Sequence, residues 1–95
     1  GVSIGDDVLI AANCTFAPVN HQYKNSSMKI SEQGPAKSKG GIIIENNVWI
    51  GANTVILDGT RVCEGSVIAA GSVVRGICKN NSLYGGNPLK KIKSL

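Results

Sequence analysis

The sequence predicts an all-β fold, a parallel β-helix built from six-residue units, and three observations carry that expectation. Apolar residues recur at a fixed spacing of six along most of the chain, aromatics are scarce while glycine is plentiful, and one polar stretch interrupts the pattern once. The 95 residues suit a single domain spanning 1–95.

The spacing is the strongest of the three. Ile4, Ile10 and Phe16 form one run, and Ile44, Ile50, Ile56, Val62, Ile68 and Val74 form a second. Ile, Leu, Val and Phe make up 26 of the 95 residues. Nine such hits in phase would arise by chance with a probability of roughly 10⁻⁵. Four positions after each comes Val8, Cys14, Asn20, Val48, Thr54, Thr60, Ser66, Ser72 or Cys78, and eight of these nine are small or β-branched. A period of six fits neither a helix near 3.6 residues per turn nor a plainly alternating strand. It fits a short strand followed by a corner, repeated as one side of a coil. The aliphatic side chain then fills the interior, the small residue packs beside it, and Gly or Asn takes the corner. A Val/Ile-rich sandwich would instead need longer alternating strands and hairpin turn pairs, which the sequence lacks.

Composition agrees. Apolar residues reach 42%, yet only four are aromatic, and twelve glycines accompany the abundant Ile and Val. That mixture favours many short strands joined by tight turns over a layered core. A chain this small buries only about 60–65% of its unfolded surface, so oligomerisation is expected.

Residues 21 to 43, HQYKNSSMKISEQGPAKSKGGII, break the phase by four, contain Pro35 and four lysines, and are read as an excursion from the coil. Loops of such length in compact domains are usually functional or disordered. After Val74 the pattern fades. Asn87-Pro88 opens a basic tail over about 87–95, and Asn before Pro suits the start of a short helix.

Charge and cysteine content narrow the function classes. The net charge of +4 suits an anionic ligand such as a phosphorylated cofactor, but no lysine- and arginine-rich run interleaved with aromatics points to nucleic acid. Three cysteines without a CxxC indicate neither a disulfide framework nor a zinc knuckle. Cys14, Cys63 and Cys78 fall on repeat columns and read as packing residues with reduced thiols. No stretch reaches the ~18 apolar residues of a membrane span. Neither a signal peptide nor a membrane partner is therefore expected, and the default location is cytoplasmic.

Three segments make a more specific statement. IGDDVLIAANCTF, IIIENNVWIGANTVILDG, and GSVIAAGSVV followed by YGGNPLKKI resemble, in this order and over nearly the whole chain, the hexapeptide-repeat O-acetyltransferases. That family includes galactoside, maltose, capsule and lipopolysaccharide acetyltransferases. The resemblance implies a left-handed helix with three units per triangular coil, an exception to the usual right-handed crossover. It also implies a homotrimer with active sites between neighbouring subunits and acetyl-CoA as co-substrate. Members carry one or more coils before the segment matched by Gly1 to Phe16, so such coils are expected upstream unless this is a minimal version.

By the same resemblance, the catalytic histidine stands where the excursion begins, which here is His21, the only histidine. The chemistry suits that residue type. A sugar hydroxyl is a poor nucleophile at neutral pH, and a neutral imidazole can take its proton as it attacks a thioester, an effect of about 10²–10⁴-fold. The developing oxyanion would need backbone N–H or similar donors. Ala52 and Ala70 correspond to positions where the family's backbone meets the pantetheine arm. Arg75, Lys90 and Lys93 correspond to basic positions near the nucleotide end, Arg75 being the better phosphate fork. Trp49 reads as packing at a subunit edge.

The string HQYKNSSMKISEQG resembles the capsule and lipopolysaccharide branch, which implies a saccharide acceptor. An antibiotic acetyltransferase and a non-catalytic β-helix binding module remain alternatives. Carbonic anhydrases of the same fold need three histidines around a metal, which one histidine per chain does not supply, so no metal is expected.

Overall fold

The computed structural model describes residues 1–95. The chain winds through β1 (Val2–Ile4), β2 (Leu9–Ile10) and β3 (Thr15–Ala17), then leaves the coil and makes one 3₁₀ turn at Ile30–Glu32. It returns as β4 (Ile42–Ile44), β5 (Trp49–Ile50) and β6 (Val55–Leu57), followed by β7 (Thr60–Val62), β8 (Val67–Ile68) and β9 (Val73–Val74). A last partial coil contains β10 (Ile77–Cys78) and β11 (Ser82–Gly85), and β12 (Lys90–Ser94) ends the chain.

Strands of successive coils stack in parallel into three sheets. Their orders are β1-β4-β7-β10, β12-β11-β8-β5-β2 and β3-β6-β9. These are the three sides of a triangular prism. The register matches the repeat: Ile44 faces Val62, Ile50 faces Ile68 and Ile56 faces Val74, 18 residues apart in each case. All six of those side chains are at most 1% exposed. Burying each contributes about 1.5–3 kcal/mol relative to exposure. Ile4 and Ile10 belong to the same column but lie on the outermost coil, and they keep 46% and 37% exposure.

Small hydroxyl residues recur beside this column for a reason of polarity as well as size. Thr54 Oγ1 donates to the Gly51 carbonyl at 2.8 Å, Ser72 Oγ to Ala69 at 2.6 Å and Thr60 Oγ1 to Val74 at 3.1 Å. Each hydroxyl satisfies itself on a carbonyl at or near a corner, which keeps the buried polar cost low. The corners need left-handed backbone, supplied by Asn47, Asn53, Gly59, Gly65 and Gly71 at intervals of six.

Two sequence expectations are corrected here. Cys78 does not occupy the small-residue column after Val74. It pairs with Val62, 16 residues away, because the coil is two residues short at the Gly76 corner, and its side chain is fully buried. That burial, with the Cys63 thiol nearby, pushes the Cys78 pKa up to about 12. The tail is also not helical. After the turn at 86–89, β12 runs antiparallel to β11, with Gly85 facing Lys90 and Ser82 facing Ser94. Seven residues are too few to nucleate a stable helix, whereas the open edge of β11 offers ladder hydrogen bonds at once. The excursion likewise ends sooner than expected, since Ile42 and Ile43 already belong to β4.

Candidate functional site

His21 stands four residues past β3, where the chain departs from the prism. The departing and returning limbs clasp each other: the Ala36 N–H donates to the Asn20 carbonyl at 2.8 Å and the Gln22 N–H to Gly34 at 2.9 Å. His21 is thereby fixed opposite Pro35. Its Nε2 lies 2.5 Å from the carbonyl oxygen of Ile30, at the start of the 3₁₀ turn. A carbonyl only accepts, so this contact keeps the hydrogen on Nε2 and leaves the Nδ1 lone pair free.

Two hollows meet at this imidazole. One, of about 480 Å³, lies within the excursion and is lined by Gln22, Asn25 and Gln33. The other, of about 350 Å³, lies where the excursion meets the prism and includes Lys39, Asp58 and Arg75. His21, Tyr23 and Lys24 border both. Beyond Arg75 a third hollow of about 330 Å³ continues past Tyr84, Pro88 and Leu89. Arg75 therefore stands between the histidine's surroundings and the turn that precedes β12.

Asp58 is the carboxylate of this region, and sequence reasoning missed it. Its Oδ2 accepts the Lys39 N–H and its Oδ1 the Gly41 N–H, both at 2.8 Å, and the residue is 4% exposed. These bonds fasten the returning limb to the end of β6. The Lys39 N–H in particular, helped by Gly41 and Gly59, holds the Asp58 carboxyl below the usual aspartate range against the opposing effect of burial. A lone acid among aliphatic strand residues, immediately before Gly59, was the available signal. Because its folded pKa is depressed, its contribution is complete above the ordinary aspartate range near pH 4 and is lost as pH falls below it. Acidification below about pH 4 is therefore expected to accelerate hydrogen exchange at the Lys39 and Gly41 amides before the prism unfolds. Asp58→Asn should produce the same acceleration at pH 7, and unchanged exchange in that variant would remove the carboxylate's anchoring role.

The remaining expected site residues lie apart from this cluster. Ala52 and Ala70 occupy equivalent corners of two successive coils, linked by the Gly71 N–H donating to the Ala52 carbonyl at 2.8 Å. Ala12 continues the same ridge, its carbonyl accepting the Asn53 N–H at 2.9 Å. Close stacking here excludes larger groups, since a Cβ on Gly51 would lie 2.5 Å from the Ala70 nitrogen. The sheet of β3, β6 and β9 separates this ridge from Arg75 and His21. Lys90 and Lys93 are exposed on β12 and line none of the three hollows.

Known proteins share this arrangement of coils. The family described as "Bacterial transferase hexapeptide (six repeats)" matches residues 41–76, and "Hexapeptide repeat of succinyl-transferase" matches residues 1–19. Galactoside O-acetyltransferase of Escherichia coli is 37% identical over 94 residues, covering 99% of this chain and 44% of its own length. The chain belongs to the hexapeptide-repeat acetyltransferase family. Among solved members, a maltose O-acetyltransferase from Clostridium difficile superposes with a TM-score of 0.86 at 32% identity, over 99% of this chain and 48% of its own. A hexapeptide-repeat acetyltransferase from Vibrio cholerae, crystallised with acetyl-CoA, gives 0.83 at 33% identity, over 99% and 49%. The fold is accordingly the left-handed parallel β-helix of this family. The chain spans about half the length of the curated relatives it matches.

Proposed function

We infer that this chain transfers an acetyl group from acetyl-CoA to a hydroxyl of a sugar or polysaccharide precursor, with His21 as general base. The observation that carries the reading is the imidazole whose Nε2 is committed to the Ile30 carbonyl, at the wall shared by two hollows. A general base has to touch the acceptor on one side and face the acyl donor on the other.

Acetyl-CoA, when bound, supplies the thioester. This chain's residues suit it: Arg75 and Lys39 give positive charge beside the histidine, while the Asp58 carboxylate is neutralised by main-chain N–H groups. The third hollow extends the track past Arg75, towards the turn ahead of Lys90 and Lys93. In the reaction His21 Nδ1 takes the acceptor's hydroxyl proton as its oxygen attacks the acyl carbon. The proton then passes to the departing sulfur.

The reading includes a homotrimer. Ala52 and Ala70 stand on a different edge of the prism from His21 and Arg75, so one protomer alone does not unite them; a groove between two protomers would. Leu9 and Trp49, paired across β2 and β5 and 62% and 51% exposed, offer an apolar strip for such packing. We place the protein in the cytoplasm, where its three free thiols would stay reduced. The structure contains no helix long and apolar enough to cross a membrane.

The test is a coupled assay and a mass. The protein is expected to release free CoA thiol from acetyl-CoA in the presence of maltose or a galactoside and to run as a trimer in light scattering. Thiol release with an antibiotic such as chloramphenicol and with no sugar would transfer the reading to xenobiotic acetylation. Binding of acetyl-CoA without turnover of any acceptor would favour a non-catalytic module.

A further inference from the structure

The larger hollow lies inside the excursion and off the prism, and its construction is unusual for a surface loop. Gln33 frames it from within: its Nε2 donates to the Asn25 carbonyl at 2.9 Å and the Met28 carbonyl at 3.2 Å, and its Oε1 accepts the Asn25 N–H at 3.2 Å. Gln22 Nε2 ties the opposite wall to the Pro35 carbonyl at 2.9 Å. The Asn25 Oδ1 accepts the Ser27 N–H at 3.0 Å. These bonds fix the loop without covering it, and they leave Gln22 Oε1, Asn25 Nδ2 and the Tyr23 hydroxyl without a partner in the chain. Tyr23 keeps 65% exposure.

The lining discriminates among ligand classes. Apolar surface comes only from Tyr23 and Ala36, too little for a hydrophobic ligand, whose sites are mostly apolar. Lys24 is its one cation, which is poor provision for a polyanion. Free amide donors and acceptors flanking an exposed aromatic ring suit a molecule with an apolar C–H face and a rim of hydroxyls. At about 480 Å³ the hollow falls within the roughly 300–1,000 Å³ typical of small-molecule sites.

We propose that the interior of the excursion is the acceptor subsite. A pyranose ring stacks on Tyr23, and its hydroxyls are read by Gln22 Oε1 and Asn25 Nδ2, with His21 at its inner edge. Acceptor selectivity then resides in the loop sequence and not in the repeats. The assignment rests on the acetyltransfer reading above for the direction of the chemistry, though sugar binding itself does not require it.

Titrating the ¹⁵N-labelled protein with methyl β-galactopyranoside and with maltose should shift the Gln22, Tyr23, Asn25 and Gln33 amides saturably. Tyr23→Ala should raise the KM for the sugar by about tenfold and leave the KM for acetyl-CoA within about twofold, while Tyr23→Phe keeps most of the sugar affinity. Shifts confined to the prism corners around Ala52 and Ala70, or no shift with either sugar, overturn the subsite. So does an unchanged sugar KM in Tyr23→Ala. Loop shifts without thiol release would leave the subsite standing and remove the transferase reading, whereas turnover with shifts elsewhere does the reverse.

Discussion

His21→Ala is expected to lower kcat by about 10²–10⁴-fold while leaving the KM for acetyl-CoA nearly unchanged. The hydroxyl of an acceptor sugar would then have to lose its proton to water during attack. Alanine, however, also removes the contact with the Ile30 carbonyl, so a rearranged loop could mimic a chemical defect. His21→Asn separates the two. Its side-chain N–H can still donate towards Ile30, but an amide has no basic nitrogen. Under general-base catalysis, His21→Asn is as inactive as His21→Ala while its loop amides keep wild-type chemical shifts. An Asn variant that retains wild-type kcat would show that the imidazole only props the loop.

What the sequence disclosed depended on whether a side chain repeated. The interior column was legible because each coil presents an equivalent position to the same axis, so Ile50, Ile56 and Ile68 could be named as buried before any coordinates. The corner residues were legible for a related reason: Asn53, Gly59, Gly65 and Gly71 take left-handed backbone at matching positions. Features that occur once escaped. A coil of 16 residues in place of 18 moved Cys78 to another column, and only the stacking of β10 on β7 reveals it. The strand at 90–94 depends on a free edge of β11 that no local propensity announces. Within the site, His21 was marked by its flanking motif, whereas the bonds from Asp58 to Lys39 and Gly41 join residues 17 to 19 positions apart across a loop without periodicity. Tyr23 went unnoticed because an exposed aromatic gains meaning only from the hollow beside it.

The periodic core makes the second large prediction, which concerns stability. Ile56 is fully buried and sits in register between Phe16 on one coil and Val74 on the next. Ile56→Ala should destabilise the protein by about 2–5 kcal/mol, because the coils above and below are held by their own ladders and do not collapse into the space. Domains of this kind have about 5–15 kcal/mol in total, so the urea midpoint should fall by a third or more, or the chain should fail to fold. Ile4→Ala removes the same atoms from the same column on the outermost coil, where 46% of the residue is already exposed, and should cost less than half as much. The comparison tests the architecture because a layered core gives no reason for two equivalent repeat positions to differ by depth along an axis. The urea slope carries further information. A solenoid is held by contacts between neighbouring coils, so a defect in its middle can uncouple the two halves. An Ile56→Ala variant whose slope falls with its midpoint is unfolding coil by coil, while an unchanged slope means the prism still melts as one unit.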